Sequence, residues 1–477
     1  MFKLDQEYPL LFSHSQGLFK PLYSPNDHQQ LSSIQWADAQ DIDVLLKQLA
    51  HHQKLFAKVS RLDISLALEH ISRRILELKN DFAHLIALEG GKPLKDALVE
   101  VERASLTFKL CAEECTRING EMIPMERSAA AQGKISFTLK EAIGPVLAIS
   151  AFNHPLNLLA HQVGCALASG CLVVLKPAPA TPLNAYQLKK IIQETNLPDF
   201  AVTILPCDVA EIQTLSRSPE FKYVSFIGSA KVGWNLRSQI APGTRIALEH
   251  GGVAPAIVCQ DADIDKAVMS LVKGSFYHAG QVCISTQRIF VHEKIKDLFI
   301  QKFTQEVKKL KTQDATLADT DVGPLIRPSE VTRIQEWITE ALNNGAILLT
   351  GNTVSGEKKQ FLHPTVLSQV KSHCLLMTEE VFGPVVCINS FTELNTLIDE
   401  LNHTPYIFES CVFTQSMSSF MKVAKNLAAM TLVINEHNAF RVDWMPFGGH
   451  GRSGLGMGGV KYSIEEMTRT KQIIINS

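Results

Sequence analysis

The first quarter of the chain carries an apolar residue every three or four positions. Residues 38–117 follow this period, most clearly in "ISLALEHISRRILELKNDFAHLIALEGGKPL" and "KDALVEVERASLTFKLCAEECTRI". Such spacing places the apolar side chains on one face of a helix. Gly90 and Gly91, followed by Pro93, are typical of a helix end. The pattern therefore predicts a helical N-terminal part, which follows a turn-rich start at "YSPNDHQQ".

From about residue 144, short β-branched runs alternate with helical pieces. The runs are "PVLAIS", "CLVVLKP", "AVTILP" and "YVSFIGS", followed by "APAIVC", "QRIFVHE", "AILLTG", "VVCINSF", "SCVFTQ" and "LVINE". Strands separated by helices favour parallel sheets with right-handed crossovers, so two successive sets predict two α/β domains. The final "QIIINS" predicts a bare strand with nothing after it to pair with, and such an edge often adds to a neighbouring subunit.

Composition narrows the class of protein. The chain has 477 residues, 45% of them hydrophobic, and a net charge of −2. This supports two or three domains, and it favours neither nucleic acid nor membranes as partners. The ten cysteines form no CxxC pair and no metal-ligand cluster with histidines, so no metal site is predicted. With no secretory signal at the N-terminus and no run of eighteen apolar residues, they favour a cytoplasmic protein with free thiols.

Three short segments carry candidate binding chemistry, and each also has an ordinary structural interpretation. "FIGSAKVG" places Gly228 and Ser229 between a strand and a helix, which suits an anion or is simply a turn. Trp234 stands where a nucleotide-triphosphate loop needs lysine, so that motif is excluded. Lys176 ends the strand "CLVVL" and would point either into the crevice of a parallel sheet or into solvent. "EEVFGPVV" by itself indicates a loop that enters a strand.

Two residues are candidates for catalysis. Glu249 follows an apolar strand and precedes two glycines, so it is either a general base with a raised pKa or a turn acid. Cys283 lies in "FYHAGQVCISTQ" and is either a buried core thiol or a nucleophile. The immediate neighbours of these two residues do not decide between the interpretations.

The order of these segments is more informative than any one of them. The series "AFNHPLN", "VVLKPAPATPL", "FIGS", "LEHGG", "GQVC", "EEVFGP" and "MPFGG" resembles the aldehyde dehydrogenase superfamily over essentially the whole chain, with motifs closest to the lactaldehyde and phosphonoacetaldehyde subgroup. The resemblance implies an α/β fold with a Rossmann-type cofactor domain, an α/β catalytic domain and a β oligomerisation arm. The implied boundaries are 1–118 and 141–250 for the NAD(P)-binding domain, 251–455 for the catalytic domain, and 119–140 and 456–477 for the arm of a homodimer or homotetramer.

The resemblance also implies roles for individual residues. Cys283 would be the nucleophile that forms a thiohemiacetal and then a thioester with the aldehyde. Glu249 would activate water, and Asn153 would donate to the oxyanion together with the backbone N–H of Cys283. Lys176 would reach the adenosine ribose and belongs to both the catalytic and the cofactor set. The other residues implied to bind NAD or NADP are Phe152, Gly228, Ser229, Gly251, Glu380 and Phe382.

Three basic residues indicate a small polar or anionic aldehyde as the substrate. They are Arg103, His154 and Arg441, which match the positions where this subgroup holds the polar end of its substrate. For Arg441 a salt bridge to Asp443 or to another acid of a loop is the alternative. Val282 stands where phosphonate-specific members carry arginine, which disfavours a phosphonate substrate.

Other positions depart from the family pattern. Pro179 lies three residues after Lys176, where many NAD-preferring members carry a glutamate that would repel a 2′-phosphate, so we expect NADP to be tolerated. His250 replaces a small or apolar residue, and "YIFESCVF" and Met457-Gly458 are also unusual.

Two further activities stay open at this point. One is a CoA-acylating dehydrogenase, which Glu249 disfavours because such members often lack this base. The other is a thiol esterase or hydrolase that uses Cys283 with His278 or His154.

Overall fold

The computed structural model describes residues 2–4, 6–12, 17–404, 406 and 408–476. Its α-helices are α1 Ala39–Phe56, α2 Arg61–Glu77, α3 Lys79–Gly90, α4 Leu94–Cys115, α5 Asn157–Leu159, α6 Cys165–Ala168, α7 Leu183–Gln193, α8 Val209–Arg217, α9 Ala230–Arg237, α10 Ile264–Phe276, α11 Lys296–Val307, α12 Pro328–Asn343, α13 Leu375–Thr378, α14 Leu394–Asn402, α15 Met417–Asn426 and α16 Val460–Glu466. A π-helical turn, Ala160–Gly164, joins α5 to α6, and 3₁₀ turns lie at Ala129–Ala131, Asp199–Ala201, Tyr277–Gly280, Glu293–Ile295 and Gly451–Ser453. Among the helices of the described ranges, none combines the length and the apolar character needed to cross a membrane.

The strands, in chain order, are β1 Glu7–Tyr8, β2 Phe19–Tyr23, β3 Gln30–Gln35, β4 Met122–Ile123, β5 Lys134–Ala142, β6 Val146–Ile149, β7 Val173–Lys176, β8 Val202–Ile204, β9 Tyr223–Ile227, β10 Arg245–Glu249, β11 Pro255–Val258, β12 Arg288–His292, β13 Ile347–Thr350, β14 Val354–Ser355, β15 Phe361–Leu362, β16 Thr365–Ser368, β17 Val385–Phe391, β18 Glu409–Phe413, β19 Thr431–Ile434, β20 Gly454–Leu455 and β21 Thr468–Asn476. They form sheets in the orders β1-β3-β2, β20-β10-β9-β6-β7-β8, β13-β16-β17-β12-β11-β18-β19, β14-β15 and β21-β5-β4.

The predicted helical N-terminal part is confirmed as the four helices α1 to α4. Asp38 begins α1 by accepting hydrogen bonds from two backbone N–H groups of the first turn, and Ser60 begins α2 in the same way with one. Gly91 ends α3 with φ 67°, a left-handed conformation that favours glycine. The apolar faces of these helices share one core with the first large sheet.

The first large sheet contains the first predicted set of strands. Strands β8, β7, β6, β9 and β10 are parallel, and the short strand β20 adds antiparallel to β10. The carboxyl ends of the five parallel strands therefore lie at one edge, where sheets of this kind bind ligands. Lys176 and Glu249 are the last residues of β7 and β10, so both belong to this edge.

The second large sheet contains the second predicted set. Six of its strands are parallel, and β13 pairs antiparallel with β16 at one end. Its buried residues form a separate core that includes helices α10, α11 and α12. The segment that carries Cys283 leads into β12, a central strand of this sheet.

The prediction of an unpaired terminal strand was wrong. Strand β21 pairs antiparallel with β5 of the same chain, from Thr468 opposite Ala142 to Asn476 opposite Lys134. Only its other edge lies at the outside of the three-stranded sheet. The strands β1 to β3 on either side of the N-terminal turn were not predicted, because "FKPLY" and "QLSSIQ" lack a β-branched alternating pattern. The domain boundaries stay a prediction.

Candidate active site

A cavity of about 770 Å³ lies at the edge formed by the carboxyl ends of the parallel strands in the first sheet, and residues of the second sheet's loops close it. Every residue predicted for the site lines this cavity. They are Arg103, Phe152, Asn153, His154, Lys176, Gly228, Ser229, Glu249, Gly251, Cys283, Glu380, Phe382 and Arg441. Their chemical roles stay predictions, whereas their meeting in one cavity is a result of the fold.

The backbone before Cys283 is strained. His278, Ala279 and Gly280 have φ values of 49°, 54° and 69°, so three successive residues adopt the left-handed conformation. A Cβ atom on Gly280 would lie 2.2 Å from the carbonyl oxygen of Gly383, which only glycine avoids. Non-glycine residues in this region cost of order 1–3 kcal/mol each and concentrate at functional sites. The turn presents Cys283 to the cavity.

Gln281 fixes this turn and links it to Asn153. Its side-chain oxygen accepts from Ile326 N at 3.0 Å, and its side-chain nitrogen faces the carbonyl oxygens of His278 and Pro324. Asn153 Nδ2 donates to the carbonyl oxygen of Gln281 at 3.0 Å. An amide nitrogen has two N–H donors, so Asn153 keeps a second donor, and both Asn153 and Cys283 line the cavity.

The thiol of Cys283 lies among several charged groups. Burial raises its pKa, and Arg441 opposes this rise, whereas the carboxyl groups of Glu380, Glu249 and Glu409 add to it. Cys283 is half-buried, whereas the other nine cysteines are buried. Arg441 therefore favours the thiolate of Cys283, and each of the three acids opposes it when that acid is ionised.

Glu249 has the environment of a general base. Burial raises the pKa of its carboxyl group, and Arg441 and His161 oppose this rise. A carboxyl group with a raised pKa accepts a proton near neutral pH more readily than an exposed one. A Cβ atom on Gly458 would lie 2.7 Å from Glu249 Oε1, so this glycine leaves the space that the carboxyl group occupies.

The end of the cavity near helix α9 suits a phosphate group. Ser229 is the residue before α9, has an extended backbone conformation and does not cap the helix with its side chain. The first N–H groups of a helix have no partner within the helix, so they and the Ser229 hydroxyl can bind an anion. His250, the unusual residue in "LEHGG", donates from Nδ1 to the carbonyl oxygen of Gly228 at 2.9 Å.

Another part of the cavity lining suits a ribose and an aromatic ring. Glu380 packs directly against Gly251, where a Cβ atom would collide with its carboxyl group. Glu380 Oε1 is buried without a hydrogen-bond partner in the described chain, and burial raises the pKa of this group to about 8. The rings of Phe152 and Phe382 meet edge to face at 5.8 Å. The residues present therefore fit a dinucleotide with a ribose hydroxyl on Glu380.

The predicted substrate residues differ in how far they are already paired. Asp443 does not bind Arg441, as the alternative supposed. It binds Arg103 at 2.7 Å and accepts further bonds from Asn157 and His161. Arg103 is thus the paired arginine of the two.

Arg441 is half-buried and has no salt bridge to an acid in the described residues. Its guanidinium lies 3.5 Å from the ring centre of Phe447, and its Nε has no hydrogen-bond partner there. The ring of His154 lies beside the rings of His278 and Tyr277. Burial lowers the pKa of His154 well below its usual value, and the positive charges of Lys92 and Arg103 lower it further, so His154 is neutral.

No sequence motif points to Glu409, although "YIFESCVF" is unusual for the family. This residue opens β18, and neither carboxyl oxygen has a hydrogen-bond partner within the described residues. Burial raises its pKa to about 8, and Arg441 opposes the rise. Only the departure from the family pattern could have drawn attention to it; Ile407, in the same segment, lies outside the described residues.

The sequence profile of the aldehyde dehydrogenase family matches residues 12–473. The chain therefore belongs to the aldehyde dehydrogenase family. It is an NAD(P)-dependent oxidoreductase that converts an aldehyde into a carboxylic acid.

Individual relatives support this membership. The chain is 39% identical over 403 residues to 3-sulfolactaldehyde dehydrogenase of Priestia megaterium. This alignment covers 84% of both chains. It is 40% identical over 415 residues to lactaldehyde dehydrogenase of Methanocaldococcus jannaschii, which covers 86% of this chain and 87% of the relative. The crystal structure of glyceraldehyde-3-phosphate dehydrogenase GapN from the same organism, complexed with NADP, superposes with a TM-score of 0.91 at 35% identity, over 96% of this chain and 99% of that one.

Proposed function

We propose that this enzyme oxidises a small aldehyde with an anionic group, and that Arg441 binds that group. The observation that carries the proposal is a half-buried arginine without an acidic partner among the described residues, whose Nε is buried and makes no hydrogen bond there, in the same cavity as Cys283. A cation that is partly removed from water without a partner is costly, so a substrate anion would relieve that cost. The relatives named for 3-sulfolactaldehyde and glyceraldehyde 3-phosphate support this substrate class, because both names denote short anionic aldehydes.

The proposed reaction uses groups of three residues of this chain. The thiolate of Cys283 attacks the aldehyde carbon, and the resulting oxyanion accepts hydrogen bonds from Asn153 Nδ2 and from the backbone N–H of Cys283. Bound NAD(P)+ supplies the hydride acceptor. Glu249 then takes a proton from the water that hydrolyses the thioester on Cys283, which releases the acid and restores the thiol.

The cofactor contacts are also proposals. Ser229 and the start of α9 would hold the pyrophosphate, Glu380 the nicotinamide ribose, and Lys176 the adenosine ribose. The cavity supports this arrangement because Ser229, Glu380 and Lys176 all line it. Cys207 and Asp208 act electrostatically on Lys176, whereas Cys283 does not, so we assign Lys176 to cofactor binding more than to the thiol chemistry.

Substitution of Arg441 tests the substrate class. In Arg441→Leu we expect kcat/KM for succinic semialdehyde and glyceraldehyde 3-phosphate to fall about 10–100-fold, mostly through KM, because one charge-assisted hydrogen bond is lost. For uncharged propanal the change should stay within about threefold.

The conservative variant Arg441→Lys serves as the matched control, because it keeps the charge. It should recover part of the loss with the anionic aldehydes. Equal losses for anionic and uncharged aldehydes would refute the role of Arg441 as an anion-binding residue. The same assays run with and without CoA distinguish release of the free acid from acyl-CoA formation.

We also propose a homodimer or homotetramer and a cytoplasmic location. The three-stranded sheet of β21, β5 and β4 exposes several apolar side chains, which support an intersubunit contact: Met122, Ile135, Leu139, Ile474 and Ile475. The ten cysteines are free thiols, which supports a reducing compartment.

A further inference from the structure

Asp208 lies at the same end of the cavity as Lys176. Strand β7 ends at Lys176, and its parallel neighbour β8 ends at Ile204, shortly before Asp208. Both side chains line the cavity, and Asp208 acts electrostatically on Lys176. The two residues therefore flank the place where the adenosine ribose is proposed to bind.

One oxygen of Asp208 is held and the other is free. Lys20 Nζ donates to Asp208 Oδ2 at 2.8 Å and also lies 3.8 Å from the ring centre of Trp36, another residue of the cavity wall. Asp208 precedes helix α8 but does not cap it with its side chain. Oδ1 thus makes no hydrogen bond in the described chain and can accept one from a ligand.

The other acidic residues that line the cavity interact with groups other than Lys176. Glu249 and Glu380 act on Cys283, and Glu330 is paired with Arg333 at 2.9 Å. Pro179, where many NAD-preferring members carry glutamate, lines the same end as Asp208 without a polar side chain. Among the described residues, Asp208 is therefore the acid at the adenosine end.

We propose that Asp208, oriented by Lys20, accepts the 2′-hydroxyl of the adenosine ribose and makes the enzyme prefer NAD to NADP. The inference rests on the proposed placement of that ribose at Lys176. A carboxylate that binds this hydroxyl is a recurrent feature of NAD sites on Rossmann-type sheets. Asp208 would supply from β8 what residue 179 lacks, so the NADP tolerance expected from Pro179 alone gives way to a preference for NAD.

The charge of the cofactor explains the expected discrimination. A phosphate monoester carries close to two negative charges at neutral pH, so a nearby carboxylate repels it, whereas a hydroxyl donates to the carboxylate. Lys20 does not reverse this, because its ammonium group is held between Asp208 and Trp36 and does not line the cavity. The side chain of Asp208 is 62% exposed, so screening by water and salt limits the effect to about tenfold.

Direct binding measurements on the full chain test the proposal without relying on activity. Isothermal titration calorimetry should give a Kd for NADP+ about tenfold above that for NAD+ in the wild type. In Asp208→Asn this ratio should fall by about tenfold, through tighter NADP+ binding and weaker NAD+ binding. Glu211→Gln, one turn further along α8 and outside the cavity wall, removes the same charge and should leave the ratio unchanged.

Lys176→Ala distinguishes a wrong placement of the adenosine ribose from a wrong role for Asp208. If it weakens both cofactors while Asp208→Asn leaves their ratio unchanged, the ribose is at Lys176 but Asp208 does not recognise its 2′ position. If Lys176→Ala binds both cofactors like the wild type, the placement of the ribose is wrong and the inference fails with it. A wild type that binds NADP+ as tightly as NAD+ overturns the proposal as well. Thermal unfolding of each variant verifies that it is folded.

Discussion

Both carboxyl oxygens of Glu409 are buried near Cys283 and Arg441 without a hydrogen-bond partner in the described residues. An ionised carboxylate in such a place is costly, so the group retains its proton up to about pH 8. The neutral acid adds no negative charge beside the thiol, whereas its ionised form makes the thiolate of Cys283 harder to form.

Replacement of Glu409 should change how stability depends on pH. The folded-state pKa is raised above the unfolded value, so the wild type loses stability as pH rises from about 4.5 to about 8. Glu409→Gln stays neutral and avoids this loss. We expect it to match the wild type near pH 4.5 and to exceed it by on the order of 2–4 kcal/mol at pH 8.

Denaturant unfolding at several pH values measures this difference. Glu465→Gln, at an exposed position of α16, removes one acid without the burial and serves as the control. A difference between Glu409→Gln and wild type that stays constant from pH 5 to pH 8 would show that Glu409 is ionised in the folded protein throughout this range.

His250 shows what a single sequence position can and cannot predict. The residue departs from the family pattern, and this departure predicts altered packing. It does not predict which neighbour leaves room for the larger His250 ring. In the structure a Cβ atom on Gly233 would lie 2.1 Å from the His250 ring, so the ring occupies space that this glycine leaves open. The compensation joins two residues seventeen positions apart on different elements, and only their packing reveals it.

At the scale of elements, a buried glutamate of helix α4 contacts both a lysine and the segment that follows Asn153. Lys92 and Glu100 are paired and completely buried. Glu100 Oε1 also accepts from the backbone N–H groups of Leu156 and Asn157, where α5 begins. Glu100 is therefore a positioning residue for the loop that carries Asn153.

Loss of Glu100 should affect both stability and catalysis. In Glu100→Gln the ammonium group of Lys92 stays buried without its counter-charge, which costs about 3–5 kcal/mol. We expect kcat to fall and KM to change less. The reason is that the oxyanion donor Asn153 shifts while the cavity that binds the substrate keeps its shape. Thermal unfolding and steady-state kinetics with propanal measure the two effects.

Two further variants separate this effect from a general one. The double variant Lys92→Met with Glu100→Gln should recover part of the stability, because no uncompensated charge remains. Glu102→Gln on the same helix breaks the more exposed pair with Lys79 and should cost at most about 1 kcal/mol. Equal costs for Glu100→Gln and Glu102→Gln would contradict the role given to the buried pair.

Most helices and strands could be predicted from the sequence because their signals are local. Apolar periodicity defined α1 to α4, and short apolar runs defined most strands of both large sheets, although β16 and β20 were not predicted. The strands β2 and β3 could not be predicted, because their polar and proline-containing sequences become strands only by pairing with each other. The partner of β21 was missed for a related reason: β5 lies more than 300 residues away in the chain.

At the scale of the whole molecule, the candidate site was predicted from the order of motifs, not from any physical pattern in one segment. The fold brings all of the predicted residues into one cavity. Sequence could not show which arginine is paired, because Asp443 lies two residues from Arg441 in the chain but contacts Arg103, 340 positions away. It also could not show Asp208 beside Lys176, since that neighbourhood depends on the pairing of β7 with β8.

The sheet of β21, β5 and β4 leads to a prediction about assembly. Strand β21 is exposed along nearly all of its length, and Ile474 and Ile475 are 56% and 47% exposed on its opposite faces. A three-stranded sheet with apolar residues open to water on both faces is poorly stabilised alone, so a partner subunit should cover it. We expect the double variant Ile474→Asp with Ile475→Asp to lower the mass in solution to that of a monomer, because buried unpaired carboxylates oppose the contact.

Multi-angle light scattering after size-exclusion chromatography measures that mass. Thr470→Asp, an exposed polar position nearer the start of the same strand, is the control for a charge change that removes no apolar area. Circular dichroism should show that the double variant keeps its helices and strands, since both large cores lie away from β21. A wild type that is already monomeric, or a double variant with unchanged mass, would show that this sheet is not the intersubunit contact.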